Sequence, residues 1–292
     1  MQLAIFNNYD QASIHPPEGQ LLKWIGNKQR FAAKIVSYFP RGFRRYFEPF
    51  LGSGAVLATV APRDGVGSDV FPPLIEIWRA LVENPSVLKE WYAERWQRLA
   101  KSDKVAAYEE IKAAYNARPN GPDLLFLCRA CYGGVVRFRK SDGYMSTPCG
   151  IHDPIPPHRF NERVDDWHER VADVQVRQAD YRETMAEAGR NDLVYCDPPY
   201  TYTQSILYGA QEFRLEELFE AIAACKERGV SVVVSIDGTK KSGDLFCDLQ
   251  IPEGLFEREV EIHCGRSMLK RFQMAGRTLE SETVTDRLLL TY

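Results

Sequence analysis

The stretch RRYFEPFLGSGAV, Arg44 to Val56, decides the fold. Tyr46 and Phe47 start a short apolar strand, Gly52 and Gly54 form a tight turn, and a helix follows through Leu57 and Val60. Glycine in such a turn lets a ligand approach the backbone closely. The turn is not a phosphate-binding P-loop, because no GK[ST] follows it. Nor is it G-x-G-x-x-G, because Leu57 stands where the third glycine belongs. A second short strand, GVGSDV, ends at Asp69, where an acid is placed to hold ribose hydroxyls. Together the turn and the acid fit a nucleoside ligand without a pyrophosphate.

Further from this unit, strands and helices alternate. A helix is expected over Asn27 to Phe39, and another in PPLIEIWRALVENP, opening with prolines. Strands are expected near Val174 to Gln178, Leu193 to Cys196 and Val230 to Ile236, with a helix from Leu215 to Arg228 between the last two. Two more strands are expected near Phe256 to His263 and Asp286 to Tyr292. Alternation of this kind predicts an α/β fold, a doubly wound and mainly parallel sheet with helices on both faces. Residues 85–130 read as helical throughout, and YGGVVRFRKSDGYMSTPCG reads as an irregular β-hairpin with Gly143 in its turn. The expected organisation is a catalytic domain over 1–84 and 171–292, interrupted by an inserted helical and hairpin domain over 85–170. Residues 1 to 20 read as a loose polar arm.

The composition suits a globular protein: 292 residues, 45% hydrophobic and 26% charged, which supports a sizeable core. No apolar run reaches the roughly 18 to 20 residues of a membrane span, so no membrane partner is expected. The N-terminus lacks a secretion signal. Seven scattered cysteines suit a reducing cytosol. Cys128 and Cys131 form one CxxC, but a structural zinc site wants a second pair, so no metal is expected. A net charge of −3 argues mildly against nucleic acid, yet the charges are uneven. RFRK groups Arg137, Arg139 and Lys140, and GRSMLKRFQMAGR carries Arg266, Lys270, Arg271 and Arg277 with no acid. One basic face with acidic flanks can still bind a phosphate backbone.

In RNDLVYCDPPYTYTQ, residues 190–204, the apolar run Leu193 to Cys196 is broken by Asp197, Pro198, Pro199 and Tyr200. That end of a strand is where α/β sheets bind ligands. A simple proline-stopped turn is the alternative.

Taken in order, the motifs resemble those of the Dam-type DNA adenine-N6 methyltransferases, whose donor site precedes an inserted target-recognition region. LLKWIGNK looks like the family's K-W-x-G-x-K motif, FEPFLGSGAV like its F-x-G-x-G loop, and QADY like its D-[FY] pair. VYCDPPY matches the catalytic tetrapeptide, RACYGGVVRFRKSDGYMSTPCG is similar to the hairpin segment, and ESETVTDRLLLTY is like the closing strand. The hairpin departs from the family where Gly133 and Arg139 replace asparagines and where GYMSTPCG stands, so the recognised DNA sequence stays open.

The resemblance implies a Rossmann-like fold, S-adenosylmethionine as cofactor, no metal, double-stranded DNA as partner and a cytoplasmic, bacterial or phage setting. It implies that Asp197, Pro198, Pro199 and Tyr200 are catalytic. Trp24, Lys28, Phe50, Gly52, Gly54, Asp69, Asp180 and Tyr181, with Asp197, would bind the cofactor. Arg137, Arg139, Lys140, Arg266, Lys270 and Arg271 would meet DNA. Two alternatives are a cytosine-N4 or RNA methyltransferase, which needs the same acceptors for a planar amine, and a non-catalytic DNA-binding protein of the same fold. Asp180 by itself also reads as a helix cap before YRETM, and Trp24 as a core residue.

Overall fold

The computed structural model describes residues 7–8, 14–101, 103–139, 141–199, 213–240, 245–246, 249–266 and 283–292. Seven strands form the central sheet: β1 (Tyr46–Glu48), β2 (Gly65–Asp69), β3 (Val174–Gln178), β4 (Leu193–Cys196), β5 (Ser231–Asp237), β6 (Arg258–Arg266) and β7 (Thr283–Leu290). Their order across the sheet is β3-β2-β1-β4-β5-β7-β6. From β3 to β5 all neighbours run parallel. β7 inserts antiparallel between β5 and β6. The chain therefore winds outward from β1 to β3, then returns across β1 to start the other half at β4. Such a reversal opens a crevice at the carboxyl ends of the strands on either side of it.

Alternation along the strands explains why both sheet faces are covered. Tyr46, Leu193, Tyr195, Val233, Leu288 and Leu290 join one buried cluster, while Phe47, Val194, Cys196, Val232, Val234 and Leu289 join the other. These residues alternate along each strand, so neighbours in sequence serve opposite faces. Helices α8 (Tyr181–Ala186) and α9 (Leu215–Glu227) cover the second face with Met185, Leu218, Phe219 and Ile222. The first face is covered by α1 (Ala32–Val36), α2 (Ala55–Val60) and α3 (Pro72–Glu83). Beyond them lie α4 (Pro85–Lys101), α5 (Lys104–Ala117), α6 (Gly121–Ala130) and α7 (Pro157–Val171). Leu88, Tyr92, Tyr108, Phe126, Phe160 and Trp167 from this block belong to the same cluster as Tyr46 and Leu193. Trp78 of α3 meets Trp167 of α7 at 5.8 Å between ring centroids. The whole block lies between β2 and β3, and its apolar core is continuous with that of the sheet face.

After α6 the chain forms the expected hairpin. Phe138 faces Met145 and Cys131 faces Cys149 across it, with Gly143 at a φ of 68° in the turn. Val136 and Phe138 are buried while Arg139 is exposed and Arg137 half-buried, a period of two.

Two expectations need correction. The helix expected from Asn27 to Phe39 is only α1, Ala32–Val36. Residues 24–31 instead form turns, with Gly26 at a φ of 77° and the Asn27 amide bonded to the Trp24 carbonyl. Tertiary contacts of Trp24 and Lys28, described below, outweigh the local helical pattern. The arm is also not loose over residues 14–20. Arg170 donates to the His15 carbonyl at 2.7 Å, Trp167 to that of Gly19 at 3.0 Å, and Arg163 to that of Gln20 at 3.0 Å. Side chains of α7 thus tie the arm down through its backbone, a fixation that polar composition does not reveal. No helix among the described residues is long and apolar enough to cross a membrane.

Candidate active site

A cleft opens at the carboxyl ends of β1, β2 and β4. Trp24, Lys28, Phe50, Gly52, Asp69, Asp180, Tyr181, Asp197 and Pro199 all line it. They come from five separate stretches of the sequence, and the reversal between β1 and β4 gathers them.

On the β1 and β2 side, the backbone sets the shape. Asp69 ends β2 and is 7% exposed. Its carboxylate accepts from the Gly52 amide at 3.1 Å and from the Phe71 amide at 3.1 Å. These bonds lock the acid and the glycine turn to each other. The Gly52 carbonyl accepts from the Trp78 indole at 3.1 Å. Gly52 has a φ of 45°, and a Cβ there would stand 3.4 Å from Cδ1 of Trp24. Gly54, at a φ of 58°, lies behind the cleft: a Cβ would come within 2.4 Å of the Trp78 ring. Its lack of a side chain therefore serves helix packing, under the turn that Gly52 presents.

Aromatic rings form the next wall. Phe50 stacks on Tyr181 at 5.0 Å and 24°, and Phe213 meets Phe50 edge-on at 5.8 Å. The Tyr181 hydroxyl is buried and has no hydrogen-bond partner among the described residues. Burial pushes its pKa up to about 12, so it is a neutral donor. Asp180 has two duties. It caps α8 through the Arg182 amide at 2.8 Å and also lines the cleft. Its own burial works against the ionised form, but the bonds from Arg182 outweigh that and hold its pKa below the usual carboxylate range.

Opposite stands Asp197, the residue after β4. Both carboxylate oxygens accept from the Lys28 ammonium, at 2.8 and 2.9 Å. Lys28 is 4% exposed, donates also to the Gly26 carbonyl at 3.1 Å, and lies 3.7 Å from Asp286 of β7. Any amine using the Asp197 oxygens shares them with Lys28. Pro198 is buried, and Pro199 lines the cleft.

Glu48 was not singled out from the sequence. It ends β1 at 3% exposure, lines the cleft and accepts from the Tyr46 hydroxyl at 2.7 Å. Burial dominates and raises its pKa to about 8, with nearby Asp197 adding to the rise and Tyr46 and Lys28 opposing it. At neutral pH this carboxyl keeps its proton, while Asp197 is in an ion pair. Asp286 and Tyr195 complete the surroundings; the Tyr195 hydroxyl shares a 2.7 Å bond with Ser235. An acid inside the apolar run YFEPF is the one signal that could have pointed to Glu48. Asp286 has no local signal at all.

Among the described candidates, Arg137 and Arg139 do not line the cleft. Arg137 and Arg139 lie on the hairpin. Arg139 pairs with Asp142 at 3.1 Å and covers the Tyr144 ring at 4.1 Å. The Arg137 amide donates to the Thr147 hydroxyl at 2.9 Å. Tyr200, Lys140, Lys270 and Arg271 lie outside the described residues. Arg266 ends β6, and its side chain also lies outside them.

The donor set suits a cationic nucleoside. Ring faces of Phe50 and Tyr181 suit a purine, Asp69 suits vicinal hydroxyls, and the orphaned Tyr181 hydroxyl awaits a partner. Asp197 is paired with Lys28 and Asp180 with Arg182, but acids outnumber basic residues in the lining, which favours positive charge. The family model described as D12 class N6 adenine-specific DNA methyltransferase matches residues 24–260. The chain is similar to a DNA adenine methylase of Vibrio cholerae serotype O1, 26% identical over 242 residues, which cover 79% of this chain and 85% of that protein. It is also similar to the retron Ec67 DNA adenine methylase of Escherichia coli, 26% identical over 257 residues, covering 85% and 87%. The type II methyltransferase M1.LlaDCHI of Lactococcus lactis subsp. cremoris is 23% identical over 253 residues, covering 78% and 84%.

Proposed function

Because this chain belongs to the D12 class of N6 adenine-specific DNA methyltransferases, we propose that its cleft holds S-adenosylmethionine and that Asp197 presents the target amine to it. One observation carries this assignment: Asp197 faces the same cleft as Asp69, Phe50 and Tyr181. When bound, the cofactor supplies an electrophilic methyl on a sulfonium. Asp69 would hold the ribose hydroxyls, and the stacked pair of Phe50 and Tyr181 would pack against one side of the cofactor's adenine. Trp24 and Lys28 would lie along its methionine side, near the Gly52 turn.

The exocyclic nitrogen of adenine is a poor nucleophile, since its lone pair is delocalised into the ring. Acceptors for both N6 hydrogens draw the nitrogen toward a tetrahedral form with a localised pair. The Asp197 carboxylate is one acceptor and the Pro198 carbonyl the other. Prolines fix φ and have no N–H, so the loop offers carbonyls and not donors. Preorganised positioning of this kind is worth roughly 7 to 11 kcal/mol at best. Removing one oriented dipole costs about 3 to 4 kcal/mol. Tyr200 would add a ring on which the target adenine stacks, worth about 1 to 3 kcal/mol per base. The methylated ammonium is acidic and sheds its proton readily, so no strong base is needed.

N6 is unreachable inside a duplex, so the double-stranded substrate must give up its base to the cleft. The block at 85–170 is the target-recognition region, and Arg137 is the leading residue for contact with a base edge or a phosphate. Arg139 and Lys140 follow on the same hairpin. Arg266, Lys270 and Arg271 are assigned to backbone contact. Mass spectrometry of nucleosides from duplex DNA treated with protein and S-adenosylmethionine tests the assignment. N6-methyladenine is expected; N4-methylcytosine alone, or DNA binding without transfer, overturns it.

A further inference from the structure

We infer that Arg129 is a positioning residue for the donor cleft: from the last turn of α6 it grips the backbone before Trp24 and so fixes the loop that carries Trp24 and Lys28. Arg129 is 4% exposed. One of its terminal nitrogens donates to the Gln20 carbonyl at 2.7 Å and to the Leu21 carbonyl at 2.8 Å. Its guanidinium lies 5.6 Å from the centre of the Phe160 ring. Among the described residues, the titratable groups facing it are Tyr92, Arg163, Lys23 and Cys128, with no carboxylate among them. A guanidinium buried without a counter-ion is costly, and burial indeed lowers its pKa. A pair of peptide carbonyls compensates it together with the Tyr92 hydroxyl, the guanidinium Nε being left without a partner among the described residues, and those carbonyls accept only if residues 20 and 21 follow this path.

That path leads directly to the cleft. Leu21 and Leu22 are fully buried. The Asn27 side chain donates to the Leu22 carbonyl at 3.4 Å, and Lys28 reaches Gly26 and Asp197 from the next turn. Arg163 supports the same Gln20 carbonyl at 3.0 Å from α7. On the other side of Arg129 the chain passes at once into the hairpin, whose root touches the same loop. Gly134 has a φ of 65°, and a Cβ there would stand 2.5 Å from Cδ of Lys23. One helix end thus anchors both the donor loop and the base of the hairpin. The placement concerns this chain's own backbone, but its consequence rests on the donor cleft proposed above.

The test compares wild type with Arg129→Met, Arg129→Lys and Arg163→Met. S-adenosylmethionine affinity is measured by isothermal titration, KM for donor and for DNA by methyl transfer, and folding by thermal melting. Arg129→Met should raise the donor Kd and donor KM about tenfold or more, leaving the DNA KM within about twofold. Arg129→Lys should recover part of the loss, because an ammonium reaches a carbonyl without the planar fork. Arg163→Met should raise the donor Kd about threefold. An unchanged donor Kd in folded Arg129→Met overturns the inference. So does an equal fall of donor and DNA affinity that tracks only the loss of folded protein. Should Arg129→Met not fold, the Arg129→Lys and Arg163→Met donor affinities decide: wild-type values there refute it. If wild type itself binds no donor, the cleft assignment fails, and the inference with it.

Discussion

The proposed donor cleft and the hairpin are built on different principles. In the cleft nearly every polar group is held by another: Asp69 by two amides, Lys28 by Asp197 and a carbonyl, Gly52 by Trp78. Its residues sit at the ends of parallel strands and are mostly buried. The hairpin is anchored by Val136, Phe138 and Met145 and carries half-buried Arg137 and exposed Arg139 on the other side of its strand. Bond-making needs atoms held to within a fraction of an ångström, which rigid strand ends supply. Recognition of DNA, the role proposed for the hairpin, needs reach and adaptable charge, which a hairpin surface supplies.

This contrast is broken most sharply at Asp197. Asp197→Ala should lower the methyl-transfer rate by at least about a hundredfold to a thousandfold, while duplex DNA affinity stays near wild type. Single-turnover kinetics and a DNA-binding titration check both halves. A Gly54→Ala substitution forces a Cβ against Trp78 at a positive φ. Overpacking costs about 1 to 3 kcal/mol and the left-handed backbone about 1 to 2 kcal/mol more. Thermal melting should drop by several degrees, with a parallel loss of donor affinity.

Glu48 sharpens the comparison through pH. Its pKa is raised to about 8 in the folded protein, against about 4.3 in an unfolded chain. The folded state therefore binds the extra proton between these values. Its contribution to stability is fully present below about pH 4.3 and is lost as pH rises toward 8. Glu48→Gln keeps the acceptor for Tyr46 and removes the titration. Unfolding free energies from urea titrations between pH 5 and 8 should fall with pH in wild type by up to a few kcal/mol, at about 1.4 kcal/mol per pH unit, and less in the variant.

At the hairpin the effects are smaller and of another kind. Arg137→Ala should cost about 1 to 3 kcal/mol of discrimination at one base, or reduce the salt slope of DNA binding by about one if the contact is a phosphate. Melting temperature and donor affinity should not move. Methylation-sensitive sequencing and salt titrations separate the two. Arg139 is half engaged by Asp142 and Tyr144, so Arg139→Ala should change DNA affinity by about 1 kcal/mol or less.

The two regions also differ in how much of them the sequence discloses. Strand ends at Asp69 and Asp197 are legible because glycines and prolines punctuate short apolar runs. The hairpin is legible from its turn residues and period of two. Glu48 is not, since an acid in a strand ordinarily marks a solvent-facing position and only the sheet buries it. Asp286 reaches Lys28 across most of the chain's length, and no local pattern encodes that pairing. The expected helix at 27–39 was shortened by the same contacts, which draw Trp24 and Lys28 to the cleft. Arm residues 14–20 are fixed through backbone carbonyls, groups every residue has, so their composition is silent.

A crystal structure with S-adenosylhomocysteine bound tests the central claim most directly. The account predicts the ribose hydroxyls on Asp69, the purine against Phe50 and Tyr181, and the sulfur turned toward the Asp197 carboxylate. A nucleoside lodged elsewhere, or an Asp197 side chain turned out of the occupied cleft, would contradict it.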